Sequence, residues 1–286
     1  MSTLLGILLL VQFLDGCSAT HTQPLPQCRS HTQGLITSLS QHEAPKPEHA
    51  MPYTPVLISE AAGIHYLSTA WHGGGQKKQL GVDAKLPMLI AIHGLGYRPR
   101  LPEEDMLQLK YPVRIVALRG PLRSGRGYGW FNTQVRDHQP EVLASEILTQ
   151  VEQIKQSIDV LLEQWPTCGK PLVLGFSQGG MLTLATALHA PERVSHVFPL
   201  ATWIPAQAIP TRISQPFLPG IQMMHGEADD KVPLSQTQTM VESLRQRGLT
   251  LCLKTYPGIQ HTMSPEMKTQ LMEWVNKQVQ VLARGC

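Results

Sequence analysis

A serine between two glycines carries the strongest chemical signature in this chain. The apolar residues 172–174 lead into Gly-Phe-Ser-Gln-Gly-Gly at 175–180, and residues 181–188 have the composition of a helix. Between a strand and a helix, a Gly-x-Ser-x-Gly sequence forms a strained turn that presents the serine hydroxyl outwards. The N-terminus of the following helix favours negative charge close to Ser177. A glycine-rich turn with an incidental serine is the alternative, and the flanking strand and helix disfavour it.

A serine hydroxyl becomes a good nucleophile when a base takes its proton and an acid orients that base. Asp229 follows an apolar run at 220–224, within His-Gly-Glu-Ala-Asp-Asp-Lys-Val-Pro at 225–233. His261 follows the apolar run 249–256 and the turn Pro-Gly-Ile-Gln. The chain order Ser, Asp, His, each after a strand, is that of the α/β-hydrolase fold. We therefore predict Ser177 as nucleophile, His261 as base and Asp229 as acid, in preference to Asp230 or Glu227.

Several segments together resemble the carboxylesterase/acyl-protein thioesterase (phospholipase/carboxylesterase) family of α/β-hydrolases. These are Gly-Phe-Ser-Gln-Gly-Gly, His-Gly-x-x-Asp-x-x-Val-Pro and Gly-x-x-His, in that order. His-Gly-Leu-Gly at 93–96 resembles the oxyanion loop of the family, and Ala-Thr-Trp-Ile-Pro at 201–205 resembles a stretch beside its acyl pocket. Residues 121–131 resemble its Pro…Gly-x-x-Trp-Phe loop near the mouth of the site. The resemblance covers about residues 86–282 and is specific for the fold and the triad, but not for the substrate.

The resemblance implies an oxyanion hole and a substrate cleft. Acyl transfer builds negative charge on the carbonyl oxygen, and backbone N–H groups must meet it there. By resemblance these are the N–H groups of Leu95 and Gln178. Trp130, Phe131 and Trp203 are candidates for the wall of the cleft, with plain packing as the alternative for Trp130 and Phe131. For His93, packing that holds the loop is favoured over a catalytic role.

The expected activity is that of a serine hydrolase that cleaves small carboxylic esters or thioesters through an acyl-enzyme on Ser177. The expected mechanism needs no metal and no cofactor. One alternative is an exported serine peptidase or polymer depolymerase, because the same triad serves amides. Another is a non-catalytic, surface-tethered binding module, which the intact triad disfavours. No large lid insertion is apparent between residues 203 and 221, which favours small or open-access esters; acyl length, leaving group and oligomeric state stay open.

Alternating apolar runs and amphipathic segments must position these residues. Strands are predicted at 86–92, 113–118, 172–174, 196–200 and 249–256, and a further strand starts at 220 and runs into the polar turn before 233. Helices are predicted at 101–109, 141–165, 181–188, 234–248 and 265–282, mostly from apolar residues recurring at three and four. The runs 56–58 and 64–70 are expected to form an antiparallel edge. The alternation predicts an α/β-hydrolase fold whose sheet is mainly parallel, with helices on both faces.

The N-terminal residues 1–17 are predicted to be a signal peptide. The apolar run at 4–14 is short for a membrane span, which needs about 20 residues, but suits a signal-peptide core. An uncleaved anchor is the alternative, because residues 1–3 contain no Lys or Arg. Leu-Asp-Gly-Cys at 14–17 resembles a bacterial lipobox, which makes Cys17 a candidate for lipidation and membrane tethering. Plain secretion, with Cys17 an ordinary cysteine, is the other possibility. In both cases we expect an exported protein, either a membrane-anchored lipoprotein or secreted/periplasmic.

Residues 18–52 are predicted to be a disordered tether rich in Pro, Gln and His, and residues 53–286 the catalytic domain. The tether histidines lack the tight spacing of metal ligands, so no metal site is predicted. The net charge of +3 is small and no basic cluster is interleaved with aromatic residues, which argues against a nucleic-acid partner.

Two further groups of residues leave alternatives open. Arg119, Arg123 and Arg126, in the loop near the site mouth, are candidates to contact an acidic substrate, although solvated arginines are favoured. Beyond Cys17, three pairings are possible if all four remaining cysteines form disulfides. Cys252 lies between two leucines in a predicted strand and is expected to be buried and free. These four cysteines are Cys28, Cys168, Cys252 and Cys286.

Overall fold

The computed structural model describes residues 56–61, 64–71, 84–100, 105, 108–213 and 219–286, with only the backbone for residues 56–71. The predicted signal peptide with Cys17, the predicted tether and most of the predicted helix 101–109 lie outside the described residues. Within the described residues, no helix combines the length and the apolar character that a membrane span requires.

One eight-stranded sheet forms the centre of the molecule. Its strands are β1 (Val56–Ala61), β2 (Ile64–Trp71), β3 (Met88–Ile92), β4 (Val113–Arg119), β7 (Leu172–Phe176), β8 (His196–Leu200), β9 (Gly220–Gly226) and β10 (Leu251–Tyr256). Their spatial order is β1-β2-β4-β3-β7-β8-β9-β10. The strands from β4 to β10 in this order are parallel, whereas β1 and β2 pair antiparallel at one edge, as the sequence predicts. A separate antiparallel hairpin consists of β5 (Leu122–Ser124) and β6 (Gly127–Gly129).

Four α-helices for which the described residues give full bounds cover the two faces of the sheet: α1 (Pro140–Gln164), α2 (Gln178–His189), α3 (Leu234–Gln246) and α4 (Pro265–Ala283). Successive residues of a strand point to opposite faces. In β3, Ile90 and Ile92 accordingly pack in one core with α1, α2 and α3, while Leu89 and Ala91 pack in a second core with α4. The predicted α/β-hydrolase fold, with helices on both faces of a mainly parallel sheet, is confirmed.

The periodicity of apolar residues in the sequence is sufficient to predict the long helix α1 and its buried face. Pro140 occupies its first turn, where a missing N–H costs nothing. Its buried residues recur at intervals of three and four and face α2 and the sheet. The helix therefore stabilises α2, which begins directly after Ser177. The buried apolar residues of α1 are Leu143, Ala144, Ile147, Val151, Ile154, Ile158 and Leu161.

The structure differs from the sequence prediction for one cysteine, Cys252. Cys168 and Cys286 form a disulfide that joins the segment before β7 to the C-terminal residue. Cys252 is half-buried and disulfide-bonded, and its partner lies outside the described residues. The prediction of a buried, free Cys252 is wrong because β10 is the edge strand of the sheet, so its inner residues are only partly covered.

Candidate active site

Ser177 lies in the turn between β7 and α2. Its φ of 56° and ψ of −117° place it in a region that non-glycine residues rarely occupy. Its N–H donates to the carbonyl oxygen of Leu200 on the neighbouring strand, at 3.0 Å. A side chain in place of Gly179 would collide with the carbonyl oxygen of Ile92. Glycine at this position therefore allows α2 to approach the sheet closely. The hydroxyl of Ser177 then lies at the carboxyl end of β7.

Ser177, His261 and Asp229 form a continuous chain of hydrogen bonds. Ser177 Oγ lies 2.9 Å from His261 Nε2, and His261 Nδ1 lies 2.7 Å from Asp229 Oδ2. The carboxylate accepts a hydrogen bond from Nδ1–H, which leaves Nε2 free to accept the proton of the serine hydroxyl. The side chain of Asp229 is fully buried and that of His261 is 16% exposed. This arrangement can remove a proton from Ser177 and hold the resulting imidazolium.

The turn after β9 holds the Asp229 carboxylate. Asp229 Oδ1 accepts hydrogen bonds from the backbone N–H groups of Lys231 at 2.9 Å and Val232 at 2.8 Å. Burial alone raises the pKa of Asp229, but the hydrogen bonds from His261 and from these N–H groups outweigh it and lower the pKa below its usual range. Asp230 points to Lys231 at the surface, and Glu227 accepts from Thr255. Among the three acids of this segment, only Asp229 therefore reaches His261.

The loop after β3 lies beside Ser177. Among the residues that the structure describes, no group accepts a hydrogen bond from the backbone N–H of Leu95 or of Gln178. Both residues line a cavity of about 230 Å³ together with Ser177 and His261. Two unpaired N–H groups next to a nucleophile are able to receive the negative charge of an acyl oxygen. The other residues that line the cavity are Tyr97, Phe131, Thr133, Gln134, Val135, Phe176, Met181, Lys231 and Val232.

This geometry agrees with the comparisons with known proteins. A sequence model of the Phospholipase/Carboxylesterase family matches residues 80–279. The chain belongs to this family. It is 30% identical over 141 residues to the "Probable carboxylesterase SOBER1-like" of Arabidopsis thaliana, covering 48% of this chain and 53% of that protein. It is 28% identical over 109 residues to "Acyl-protein thioesterase 1" of Gibberella zeae, covering 37% of this chain and 46% of that protein.

The predicted family resemblance is thereby confirmed, and the chain spans about half the length of the relatives just named. Among solved structures, a carboxylesterase from Mesorhizobium loti is similar with a TM-score of 0.59 and 16% sequence identity, covering 77% of this chain and 98% of that chain. At such identity the likeness shows the fold alone. The family to which the chain belongs includes proteins named as carboxylesterases and acyl-protein thioesterases.

His93 connects three loops of this family member around the site. Its Nδ1–H donates to the Gly94 carbonyl oxygen at 2.7 Å, and its Nε2 accepts from the Gly120 N–H at 3.0 Å. The indole N–H of Trp130 donates to the His93 carbonyl oxygen at 2.9 Å. Burial lowers the pKa of His93, which keeps the ring neutral. The structure places His93 as a packed residue that holds the loop after β3, the position expected from the sequence.

The side chain of Gln178 has a role that sequence reasoning missed. Its Oε1 accepts from the Trp130 N–H at 3.0 Å, and its Nε2 donates to the Phe131 carbonyl oxygen at 2.8 Å. Gln178 is 4% exposed, so these bonds form in a dry environment. They fix residues 130–131 against the turn that carries Ser177. No signal in the sequence pairs residue 178 with residues nearly fifty positions earlier.

Of the three aromatic residues predicted to line the cleft, only Phe131 borders the cavity that contains Ser177. Trp130 is 1% exposed and packs on His93, with ring centroids 5.3 Å apart. It therefore supports the loop after β3 from the protein interior. Trp203 lines a second cavity of about 410 Å³, with Ile204, Ile209 and Met240 beside α3. Ala201 has a φ of 46°, and Thr202 still contacts Ser177 through a hydrogen bond of 3.3 Å to its carbonyl oxygen. The cleft assignments of Trp130 and Trp203 therefore need correction.

The described residues contain no group of three or more His, Cys, Asp or Glu side chains arranged to hold a metal ion.

Proposed function

We propose that this chain is a serine hydrolase that cleaves carboxylic esters or thioesters through an acyl-enzyme on Ser177. The observation that carries the proposal is the hydrogen-bond chain from Ser177 through His261 to Asp229, with lengths of 2.9 and 2.7 Å. Membership of the Phospholipase/Carboxylesterase family supports the same chemistry.

In the proposed first step, Ser177 Oγ attacks the acyl carbon while its proton passes to His261 Nε2. The negative charge that develops on the carbonyl oxygen meets the N–H groups of Leu95 and Gln178. His261 then returns the proton to the departing alcohol or thiol, and the C–O or C–S bond breaks. Water repeats the sequence on the acyl-enzyme and releases the acid. Asp229 stabilises the imidazolium that forms twice in the cycle.

The cavity beside Ser177 supports a small substrate. Its volume of about 230 Å³ lies just below the range of about 300–1,000 Å³ that is usual for ligand pockets. Apolar side chains of Phe131, Val135 and Met181 form part of its wall. We infer a compact apolar acyl group. No observation favours a peptidase, a polymer depolymerase or a non-catalytic binding module over ester or thioester hydrolysis.

We also propose that the protein works outside the cytoplasm. The Cys168–Cys286 disulfide supports this location, because structural disulfides persist in oxidising compartments. The apolar run at 4–14 and Cys17 supply the sequence argument for export. Intact-mass analysis of protein made in its own host tests the proposal. A mature N-terminus at Cys17 with added acyl mass means a lipoprotein, and a free N-terminus near Thr20 means plain secretion; Met1 retained on cytoplasmic protein contradicts export.

The test of the hydrolase proposal compares the wild type with Ser177→Ala on p-nitrophenyl esters of increasing chain length, a thioester and a peptide amide. Loss of a triad nucleophile is expected to reduce kcat on the order of a million-fold. A fluorophosphonate probe should label the wild type and not the variant. Circular dichroism shows whether the variant is folded. A folded variant that retains more than a few per cent of the activity would sink the assignment.

A further inference from the structure

Four arginines surround the hairpin β5–β6: Arg119 ends β4, Arg123 lies in β5, Arg126 lies in the turn between β5 and β6, and Arg98 lies in the loop that the hairpin contacts. We call Arg98, Arg119, Arg123 and Arg126 the arginine surface. The hairpin is joined to the oxyanion loop by two backbone hydrogen bonds, from the Gly96 N–H to the Tyr128 carbonyl oxygen at 2.7 Å and from the Tyr128 N–H to the Tyr97 carbonyl oxygen at 2.9 Å. Tyr97 also lines the cavity, so the hairpin is hydrogen-bonded directly to a residue of the cavity wall.

The arginine surface is organised around the ring of Tyr128. The guanidinium carbons of Arg119 and Arg123 lie 4.8 and 4.7 Å from the centroid of this one ring. The Nε of Arg98 donates to the carbonyl oxygen of Arg126 at 3.3 Å, which fixes the adjoining loop against the hairpin. Stacking on an aromatic face restricts the motion of a guanidinium group. Two cationic groups are thus held near each other before any ligand arrives.

These arginines have no counter-charge among the described residues. None of the four forms an ion pair with a described carboxylate, and the Nε of Arg119 is buried without a hydrogen-bond partner. A buried donor without a partner is costly, and like charges held close together repel each other. An anion bound by these guanidinium groups would supply the missing counter-charge, and one that reaches the Nε of Arg119 would also satisfy that donor. Carboxylate and phosphate oxygens match the planar fork of a guanidinium.

We propose that the arginine surface binds a carboxylate or phosphate on the leaving group of the substrate, where that group emerges from the cavity over Tyr97. Tyr97 is 60% exposed and lies between Ser177 and the arginines, so its ring offers an apolar contact to the intervening part of the substrate. The inference rests on the proposed ester hydrolysis. It narrows the substrate class to esters or thioesters whose alcohol or thiol portion is anionic.

Matched acetyl esters test the inference. The neutral member is 4-acetoxybenzamide, and the anionic members are 4-acetoxybenzoate and 4-acetoxyphenyl phosphate, which distinguish carboxylate from phosphate. We expect the wild type to have a higher kcat/KM for at least one anionic ester than for the neutral one, mainly through a lower KM. The preference should weaken as NaCl is raised, because salt screens exposed charges.

The variants are compared through the ratio of anionic to neutral kcat/KM, so that a general loss of activity cancels. Arg123→Gln should lower the ratio about three- to tenfold, because single exposed charge pairs contribute modestly. The double variant Arg119→Gln/Arg123→Gln should lower it further. If the double variant fails to fold, Arg126→Gln takes its place in the comparison, because Arg126 is exposed. Arg247→Gln is the control: Arg247 is an exposed arginine at the end of α3 that contacts the Pro210 carbonyl oxygen, and the ratio should not change.

Titration with phenyl phosphate separates this inference from the proposed function. Binding that the double variant loses supports the anion site even if the neutral ester is not hydrolysed, a result that contradicts the hydrolase proposal alone. Equal ratios in the wild type and the double variant, with phenyl phosphate binding unchanged, overturn the inference. Arginine-dependent binding to phosphatidylserine vesicles with an unchanged ester ratio also overturns it, because the surface would then face a membrane.

Discussion

The imidazole of His225 lies 3.4 Å from the same Asp229 oxygen that His261 contacts at 2.7 Å. His225 is fully buried, and burial lowers its pKa, so the ring is neutral and the contact is not an ion pair. Its Nε2–H donates to the carbonyl oxygen of Val232 at 2.8 Å, which closes the turn that holds Asp229. His225 is therefore a positioning residue for the acid of the proposed triad.

Contacts between polar groups continue from His225 to the turn that carries Ser177, although the single hydroxyl hydrogen of Thr237 serves only one of its neighbours. Thr237 Oγ1 lies 3.3 Å from His225 Nδ1 and donates to the Thr202 carbonyl oxygen at 3.0 Å. Thr202 Oγ1 in turn donates to the Ser177 carbonyl oxygen at 3.3 Å. These contacts connect the turn of Asp229 with the turn of Ser177 at a distance from the reacting atoms. They add to the connection through His261. Buried networks of this kind hold their members in one geometry when every polar group is paired.

Replacing His225 with Phe should lower kcat about ten- to a hundredfold with little change in KM. The variant loses the donor to Val232, the turn loosens, and small displacements of catalytic groups have effects of this size. Fluorophosphonate titration counts active sites, so the fall in kcat per labelled site can be separated from misfolding. His225→Gln keeps a donor and should lose less. An unchanged kcat per labelled site in His225→Phe would show that the turn holds Asp229 without the imidazole.

The two adjacent aspartates should respond very differently to neutralisation. Asp229→Asn is expected to reduce kcat by roughly four orders of magnitude, because an amide in this place stabilises the wrong tautomer of His261. Asp230→Asn is the matched control: its carboxylate is exposed, contacts Lys231 and does not reach His261. Steady-state kinetics on one p-nitrophenyl ester measures both. A severe effect of Asp230→Asn with a mild effect of Asp229→Asn would mean that the turn rearranges in solution.

Much of the fold was predictable because its signals are local. The periodicity of α1 and the apolar runs of the parallel strands do not depend on distant residues. The positions of Ser177, Asp229 and His261 follow from short motifs at strand ends, and the structure brings the three together. The motif around Ser177 is informative because the backbone there is sterically demanding, as the φ of 56° at Ser177 shows.

The parts that were not predicted depend on contacts between distant segments. The position of Trp203 beside α3 depends on its contact with that helix, and the left-handed backbone at Ala201 cannot be predicted from an alanine in the sequence. The side chain of Gln178 bonds to residues 130 and 131, which only the folded loop brings near. The disulfide of Cys252 was missed because two neighbouring leucines suggested burial, whereas β10 is an edge strand.

Replacing Gln178 with Leu should weaken both catalysis and the fold. The variant keeps the backbone N–H proposed for the oxyanion hole but leaves the Trp130 N–H and the Phe131 carbonyl oxygen without their partner. An unpaired buried polar group costs about 1–3 kcal/mol, so the free energy of unfolding should fall by a few kcal/mol. We expect kcat to fall about tenfold or more as the loop shifts.

Urea unfolding and ester kinetics measure these two effects of Gln178→Leu separately. Gln178→Glu is the comparison variant, because it retains an acceptor for the Trp130 N–H and loses only the donor to Phe131. It should be stable to an intermediate degree unless the buried charge dominates. Full stability and full kcat in Gln178→Leu would mean that the loop is held by the Trp130–His93 hydrogen bond alone.

The Cys168–Cys286 disulfide should stabilise the fold without taking part in catalysis. The two cysteines are separated by 118 residues, and a cross-link that closes so long a loop is expected to contribute about 2–4 kcal/mol, chiefly by restricting the unfolded chain. Cys286→Ser should therefore lower the free energy of unfolding by about that amount in urea titrations and leave kcat and KM unchanged. The double variant Cys168→Ser/Cys286→Ser controls for the thiol left at Cys168, which is 1% exposed. Equal stability of wild type and both variants would contradict the prediction, and the disulfide would then serve only to attach the C-terminus.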